Sequence, residues 1–273
     1  MDEILIVVPA RYASSRFPGK PLIRIAGVEM VKRVAAIAES VCRKNPACRH
    51  LVATDDARIL DFCAAEGIPA LMTAESCRSG TERCWDVVTR QEKPADFIIN
   101  LQGDNPLCPP HVIQALIDDW KRSGADVVTP CVRLGWPEYE NLIRNKTVSP
   151  FSGTTVLVDR QGFALAFSKA VLPVVRDPAE AKKHMQLSPV RRHIGLYAYT
   201  RAALQAYFTL PPSLGEQNYL EGLEQMRFLE NGLRVKMAEV DYRGRESCSG
   251  VDSPEDVTRV EGILARFGEL DLS

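Results

Sequence analysis

Residues 4–22 read Ile4-Leu5-Ile6-Val7-Val8-Pro9-Ala10-Arg11-Tyr12-Ala13-Ser14-Ser15-Arg16-Phe17-Pro18-Gly19-Lys20-Pro21-Leu22. The first half is a short continuous apolar run, the pattern of a strand buried on both faces of a parallel sheet. The second half carries three cations, Arg11, Arg16 and Lys20, no carboxylate, and enough proline and glycine to stop a long helix. A central strand therefore ends in a cationic loop. In open α/β sheets ligands bind beyond the carboxyl ends of the strands, and Arg and Lys present charge and several donors to phosphate oxygens. Neither a Walker loop nor a Gly-x-Gly-x-x-Gly fingerprint is present. Any phosphate here is held by side-chain cations rather than by a glycine cradle.

Outward from this stretch, apolar runs alternate with amphipathic segments. Residues 28–42 space Met30, Val31, Val34, Ile37, Ala38 and Val41 as a helix, 50–56 read as a second strand, and Asp56 caps the helix that Gly67 ends. Pro69–Thr73 is a third strand. The alternation predicts an α/β fold, a mostly parallel twisted sheet flanked by helices. Ser79 and Glu82 form a capping box ahead of the next helix, flanked by Arg78 and Arg83, which a box does not require. Phe97–Asn100 is a core strand running into Gln102-Gly103-Asp104. A carboxylate there, beside a glycine that admits a ligand to the backbone, suits Mg2+, and it reads equally as a turn residue before Pro106. Helix 109–123 and strand 125–133 follow. The glycines and prolines of 134–153 predict an irregular boundary, 154–168 a hairpin, 189–199 one strand with His193, Tyr197 and Tyr199 on one face, and 216–231 a helix. Ser253, Pro254 and Asp256 start the last helix, for which Asp252 is not needed.

Bulk composition narrows the function classes. The 273-residue chain is 45% hydrophobic and 25% charged with a formal net charge of −1, an ordinary globule with no bias towards nucleic acid or anionic membranes. No stretch approaches the roughly 20 apolar residues of a membrane span. The acidic Asp2 and Glu3 and the short apolar run behind them do not make a secretion signal, so a cytoplasmic location is expected. Eight cysteines, at 42, 48, 63, 77, 84, 108, 131 and 248, form no Cys-x-x-Cys and no zinc pattern, so free thiols are expected.

The run from Pro9 to Leu22 resembles the nucleotide-binding signature of the 3-deoxy-manno-octulosonate (Kdo) cytidylyltransferases, and later motifs extend the likeness along most of the chain. The resemblance implies a nucleotide-diphospho-sugar transferase-like fold, with a CTP-binding core at 1–134 and 232–273 and an acceptor-binding and dimerisation lobe at 135–231. It implies a homodimer, Mg2+, and transfer of CMP from CTP to a small acidic acceptor, an acceptor oxygen attacking the α-phosphorus while pyrophosphate leaves. Carried over residue by residue, Arg11, Arg16, Lys20 and Asp104 act in catalysis. Pro9, Ala10, Arg11, Lys20, Arg78, Ser79, Gly80, Arg83 and Gln102 bind the nucleotide. Lys169, His193, Tyr197, Glu221 and Gln225 bind the acceptor, and Asp104 and Asp252 hold the metal. The chain departs from the family pattern at Asn105, where a Glu is usual, and on the acceptor side at Thr155 (usually Lys), Lys169 (usually Arg) and Asn218 (usually an acid). A Lys in place of Arg gives up a bidentate fork. Those changes keep a phosphonate acceptor open beside Kdo or an amino-substituted Kdo. A nucleotide-binding protein without turnover is the remaining alternative, opposed by the intact Arg11, Arg16, Lys20, Asp104 and Asp252.

Overall fold

The computed structural model describes residues 2–13, 17–246 and 250–273. Arg16 and Cys248 lie outside them. In chain order the strands are β1 (Ile4–Pro9), β2 (Arg24–Ile25), β3 (Val28–Glu29), β4 (Cys48–Thr54), β5 (Ala70–Met72), β6 (Phe97–Asn100), β7 (Val127–Arg133), β8 (Thr155–Val158), β9 (Ala164–Ser168), β10 (Arg191–His193), β11 (Tyr197–Thr200) and β12 (Val235–Glu239). The helices are α1 (Met30–Lys44), α2 (Ala57–Ala65), α3 (Gly80–Arg90), α4 (Pro110–Ser123), α5 (Trp136–Val148), α6 (Pro178–His184), α7 (Arg201–Tyr207), α8 (Met226–Glu230) and α9 (Pro254–Phe267).

Two compact units emerge, one from residues 1–114, 196–204 and 242–273, the other from 115–195 and 205–241. The first has the expected α/β character. Its strands lie in the order β5-β4-β1-β6-β11, the first four parallel and β11 antiparallel to β6. β1 is central, and Ile4, Leu5, Ile6, Val7 and Val8 are all buried, as a continuous apolar run requires. Behind the cationic loop, Ile25, Met30, Leu107, Val251, Val260, Ile263 and Leu264 form one apolar cluster. Burying side chains of this size is worth about 1.5–3 kcal/mol each, and here it fastens the chain around residue 252 and helix α9 to the segment following Lys20. The start of α9 is the capping box read from the sequence, with Ser253 and Asp256 satisfying each other's backbone.

The second unit is built differently. β7, β10, β8 and β9 are successively antiparallel, and β12 runs parallel to β7. These pairings explain why the units do not follow the boundaries expected at 134 and 231. β7 and β12 pair with each other and so stay in one unit, whereas β11 pairs with β6 and belongs to the other.

Three local expectations are corrected. Residues 136–148 are helical rather than irregular. Pro137 sits in the first turn, where its missing N–H costs nothing, and Trp136, Tyr139 and Leu142 bury one face. The stretch 189–199 is two strands, not one, because 194–196 leave the ladder. The helix expected over 216–231 is confined to Met226–Glu230; Gly222, at φ +63°, takes a conformation that interrupts a right-handed helix. Among the described residues, no helix is long and apolar enough to cross a membrane.

Candidate active site

In the first unit the chain segments read as nucleotide-binding converge on one cavity of about 320 Å3. Its walls include Pro9, Ala10 and Arg11 from the end of β1, Lys20 beyond it, Arg78, Ser79, Gly80 and Arg83 around the start of α3, Gln102 and Asp104 after β6, and Asp252 ahead of α9. The loop leaving β1 is closed by the Gly19 N–H donating to the Tyr12 carbonyl at 2.9 Å. Gly19 has φ +74°, and the Tyr12 ring, capped by the Arg58 guanidinium, fills the space beside it. That turn delivers Lys20 into the cavity through a short 3-10 turn, Lys20–Leu22.

Lys20 is the hub. Its ammonium donates to Asp104 Oδ2 at 2.9 Å, Asp252 Oδ1 at 3.0 Å and the Val251 carbonyl at 2.9 Å, with the side chain only 11% exposed. Two carboxylates more than a hundred residues apart in the chain thus meet at one point. They are hard oxygen donors on the rim of a polar cavity, the donor chemistry that suits Mg2+, so the residues present fit that ion. Among the described residues, no group of three or more His, Cys, Asp and Glu converges as a ready metal cage. A metal here would therefore draw its other ligands from substrate and water.

The remaining cations divide by role. Arg11 and Arg78 are exposed on the cavity wall and make no ion pair among the described residues. Arg83 is 2% exposed and committed elsewhere: its guanidinium donates to Asp55 at 2.7 Å, to Thr73 Oγ1 and to the Cys77 carbonyl. It borders the cavity but works as a post joining α3 to the end of β4. The Ser79 hydroxyl accepts from the Glu82 N–H at 3.1 Å, while the Glu82 carboxylate accepts from the Arg78 N–H rather than closing the box on Ser79. This leaves the α3 N-terminus facing the cavity, an arrangement that favours anions.

Gly103 has no room for a side chain. A Cβ there would lie 2.3 Å from the Pro9 carbonyl oxygen. Gly103→Ala is expected to push the β1 end and the Asp104 turn apart at a cost of about 1–3 kcal/mol, weakening CTP binding by about 10–100-fold in calorimetric titration. Asn100, missed in the sequence, is fully buried behind this wall. Its Oδ1 accepts from Gln102 Nε2 at 3.0 Å, and its Nδ2 has no partner among the described residues. An unsatisfied buried donor beside Gln102 and Gly80 is what a ligand acceptor would complete. The only sequence signal was a polar residue closing an apolar strand.

Four residues assigned to the acceptor lie in the second unit. The Glu221 carboxylate accepts from Ser168 Oγ at 3.1 Å and from the Lys169 N–H at 2.5 Å. Burial lowers the Lys169 ammonium below its ordinary value, with Glu221 opposing. His193 shares a 2.8 Å hydrogen bond between Nε2 and Thr129 Oγ1 and meets the Phe167 ring edge-on at 5.2 Å. Gln225 is buried at the start of α8. Tyr197 belongs to the first unit, stacked on Tyr199.

Two supports here escaped the sequence. The Lys146 ammonium is ringed by the carbonyls of Pro150, Ser152, Gly153 and Lys169. Thr155, where the family pattern has Lys, donates to the Ala170 carbonyl at 2.6 Å and accepts from the Leu172 N–H at 3.0 Å, so its hydroxyl ties down the turn following Lys169.

Although part of its surface is accessible, His193 is packed densely enough that loss of hydration, with Lys169 nearby, pushes its pKa down to about 3. A lowered folded value means a neutral ring is favoured in the native state. The contribution is complete above the ordinary value of about 6.5 and is lost as pH falls from there towards 3. Below pH 6.5 the wild type should lose about 1.4 kcal/mol per pH unit relative to His193→Gln. Urea midpoints at pH 7 and 5 check this; parallel decline of the two proteins refutes it.

Comparison with known proteins follows the same lines. Residues 5–237 match the family model described as cytidylyltransferase. A 3-deoxy-manno-octulosonate cytidylyltransferase of Maricaulis maris (strain MCS10) is 46% identical over 98% of this chain and 99% of its own length. The mitochondrial enzyme of that name in Arabidopsis thaliana is 34% identical over 96% of this chain and 83% of its own. A solved structure of CMP:2-keto-3-deoxy-manno-octonic acid synthetase complexed with CTP superposes with a TM-score of 0.81 at 33% identity, covering 97% of this chain and 99% of that one.

Proposed function

The chain belongs to the cytidylyltransferase family, and on that footing we propose that it transfers CMP from CTP to 3-deoxy-manno-octulosonate with release of pyrophosphate. The observation that carries the proposal is the junction of Lys20, Asp104 and Asp252 in a cavity also walled by the exposed Arg11 and Arg78. The triphosphate lies against these cations, and its negative charge is neutralised where pyrophosphate departs. Such catalysis is positioning plus charge stabilisation, with little covalent work for the protein. Asp104 and Asp252 would hold Mg2+, which when bound supplies charge stabilisation of the phosphates and of an acceptor oxygen. Lys20, which joins the two carboxylates, would offer its ammonium to phosphate. Pro9, Ala10, Ser79, Gly80 and Gln102 line the nucleotide's seat, and Asn100 positions Gln102.

For the sugar acid, Lys169 offers its ammonium to the carboxylate, Glu221 reads a hydroxyl, and His193 and Gln225 complete the acceptor contacts. The matched relatives are Kdo enzymes by name, which favours Kdo over a phosphonate. Self-association belongs to the same proposal. Among the described residues, and apart from Met72, the large apolar side chains exposed at the surface fall in the second unit, Val148, Phe151, Leu165, Val174 and Leu214 among them. That concentration in one unit supports the reading. Sedimentation equilibrium is expected to give twice the chain mass. The activity is tested by pyrophosphate release from CTP and Mg2+, with Kdo and a panel of small phosphonates offered in parallel. Turnover with Kdo alone is expected; turnover only with a phosphonate overturns the assignment.

A further inference from the structure

Outside the cavity, the first unit contains a second cluster of reactive side chains that the transfer reaction does not use. Cys42 stands in the last turn of α1 and Cys48 opens β4. Two chained turns connect them: the Asn45 N–H donates to the Cys42 carbonyl at 3.0 Å, and the Cys48 N–H donates to the Asn45 carbonyl at 2.8 Å. Asn45 Nδ2 clamps the loop on both sides, donating to the Val41 carbonyl and to Gln114 Oε1, each at 2.8 Å. The clamped loop holds the two sulfurs 2.9 Å apart. We propose that Cys42 and Cys48 form a peroxide-sensitive dithiol that closes reversibly to an intramolecular disulfide.

The pair is distinguished from the buried thiols by access, and from Cys77, which is half-buried like them, by the adjacent sulfur and by charge, burial raising the Cys77 thiol. Cys42 and Cys48 are half-buried and reachable from solvent, whereas Cys63, Cys84, Cys108 and Cys131 are buried. The hydrogen bond from Cys48, with His50 also close by and Glu39 opposing, draws the Cys42 thiol down to about 6. Burial pushes Cys108 and Cys131 up to about 12. The nucleophile is the thiolate, so Cys42 reacts first. Its sulfur attacks one oxygen of hydrogen peroxide; the O–O bond breaks, hydroxide leaves and Cys42 becomes a sulfenic acid. The Cys48 sulfur then attacks the Cys42 sulfur, the S–O bond breaks, and the hydroxyl leaves as water with the Cys48 proton. Two thiols lose two electrons in total and the peroxide is reduced to two waters.

The full-length protein is treated with hydrogen peroxide at pH 7, quenched by alkylation and digested with trypsin without reductant. Cleavage after Arg33, Arg43, Lys44 and Arg49 puts the two cysteines on separate peptides, 34–43 and 45–49. They are expected to run as one species, lighter by two hydrogens than their sum, and to separate after dithiothreitol. Cys48→Ser should leave Cys42 with no resolving thiol, so that it advances to sulfinic acid. In untreated protein, iodoacetamide at pH 7 should label Cys42 at least about tenfold faster than Cys63, Cys84, Cys108 or Cys131. Separate unlinked peptides after oxidation of Cys42, or links scrambled among all the cysteines, would overturn the proposal.

Discussion

Lys20→Ala and Asp104→Asn should each lower turnover of CTP with Kdo by at least about a hundredfold, the scale on which a preorganised charge at a reacting phosphate acts. The two substitutions reach that loss by different routes. Lys20→Ala leaves Asp104 and Asp252 facing each other without the cation now joining them. It removes both a phosphate partner and the neutraliser of two like charges. Asp104→Asn keeps the shape of the turn but removes one of the two carboxylates, while Lys20 retains Asp252 and the Val251 carbonyl. A unit charge pair about 4 Å apart at intermediate dielectric interacts by about 4 kcal/mol before desolvation, so either loss is large compared with RT. Steady-state kinetics with saturating Mg2+ make the comparison, and circular dichroism checks that the variants are folded. Turnover within about threefold of wild type for either variant would remove it from the catalytic centre.

Arg83→Met should cost about 3 kcal/mol of stability, read as a lowered urea midpoint with unchanged slope. Arg83 is almost wholly buried and supplies donors to Asp55, Thr73 and the Cys77 carbonyl. Its removal strands the Asp55 carboxylate in a poorly solvated place and leaves the Thr73 hydroxyl with only the Thr54 carbonyl, and an abandoned partner costs more than the pair contributed. Arg83→Lys keeps the charge but lacks the fork that reaches both Asp55 and Thr73, so it should recover only part of the loss. If Arg83→Met falls by less than about 1 kcal/mol, Arg83 is not a structural post and its proximity to the cavity must be read as direct contact with nucleotide.

The walls of the cavity were legible because many of its residues are local to strand ends. β1 and β6 are uninterrupted apolar runs, so their carboxyl ends, and the Arg11, Lys20, Gln102 and Asp104 beyond them, could be placed from pattern alone. Ser79 followed from the cap it makes, whereas Asp252, which the cap of α9 does not need, was named only through the family resemblance. Arg83 could be named but not given its job, since Asp55 lies 28 residues away and nothing in the local pattern pairs them. Lys146 and Thr155 were opaque for the same reason: their partners are backbone carbonyls and amides brought near only by the folded turn. Pro137 misdirected the reading of α5, since a proline that breaks a helix interior is welcome in its first turn. The Glu221 segment misled in the opposite sense. Its charge spacing resembles a helix, but Gly222 turns the chain and Tyr219 and Leu220 remain exposed.

The Lys20 bridge also bears on how the protein is made. Translation delivers Lys20 84 residues before Asp104 and 232 residues before Asp252. A nascent polypeptide can pair β1 with β4 and β6 while still on the ribosome, yet its cationic loop must wait for the last carboxylate and for the apolar anchor of Val251 and α9. The growing chain therefore carries an incompletely neutralised loop until Asp252 emerges. A cavity walled by all three residues is assembled only after the whole span between them has been made.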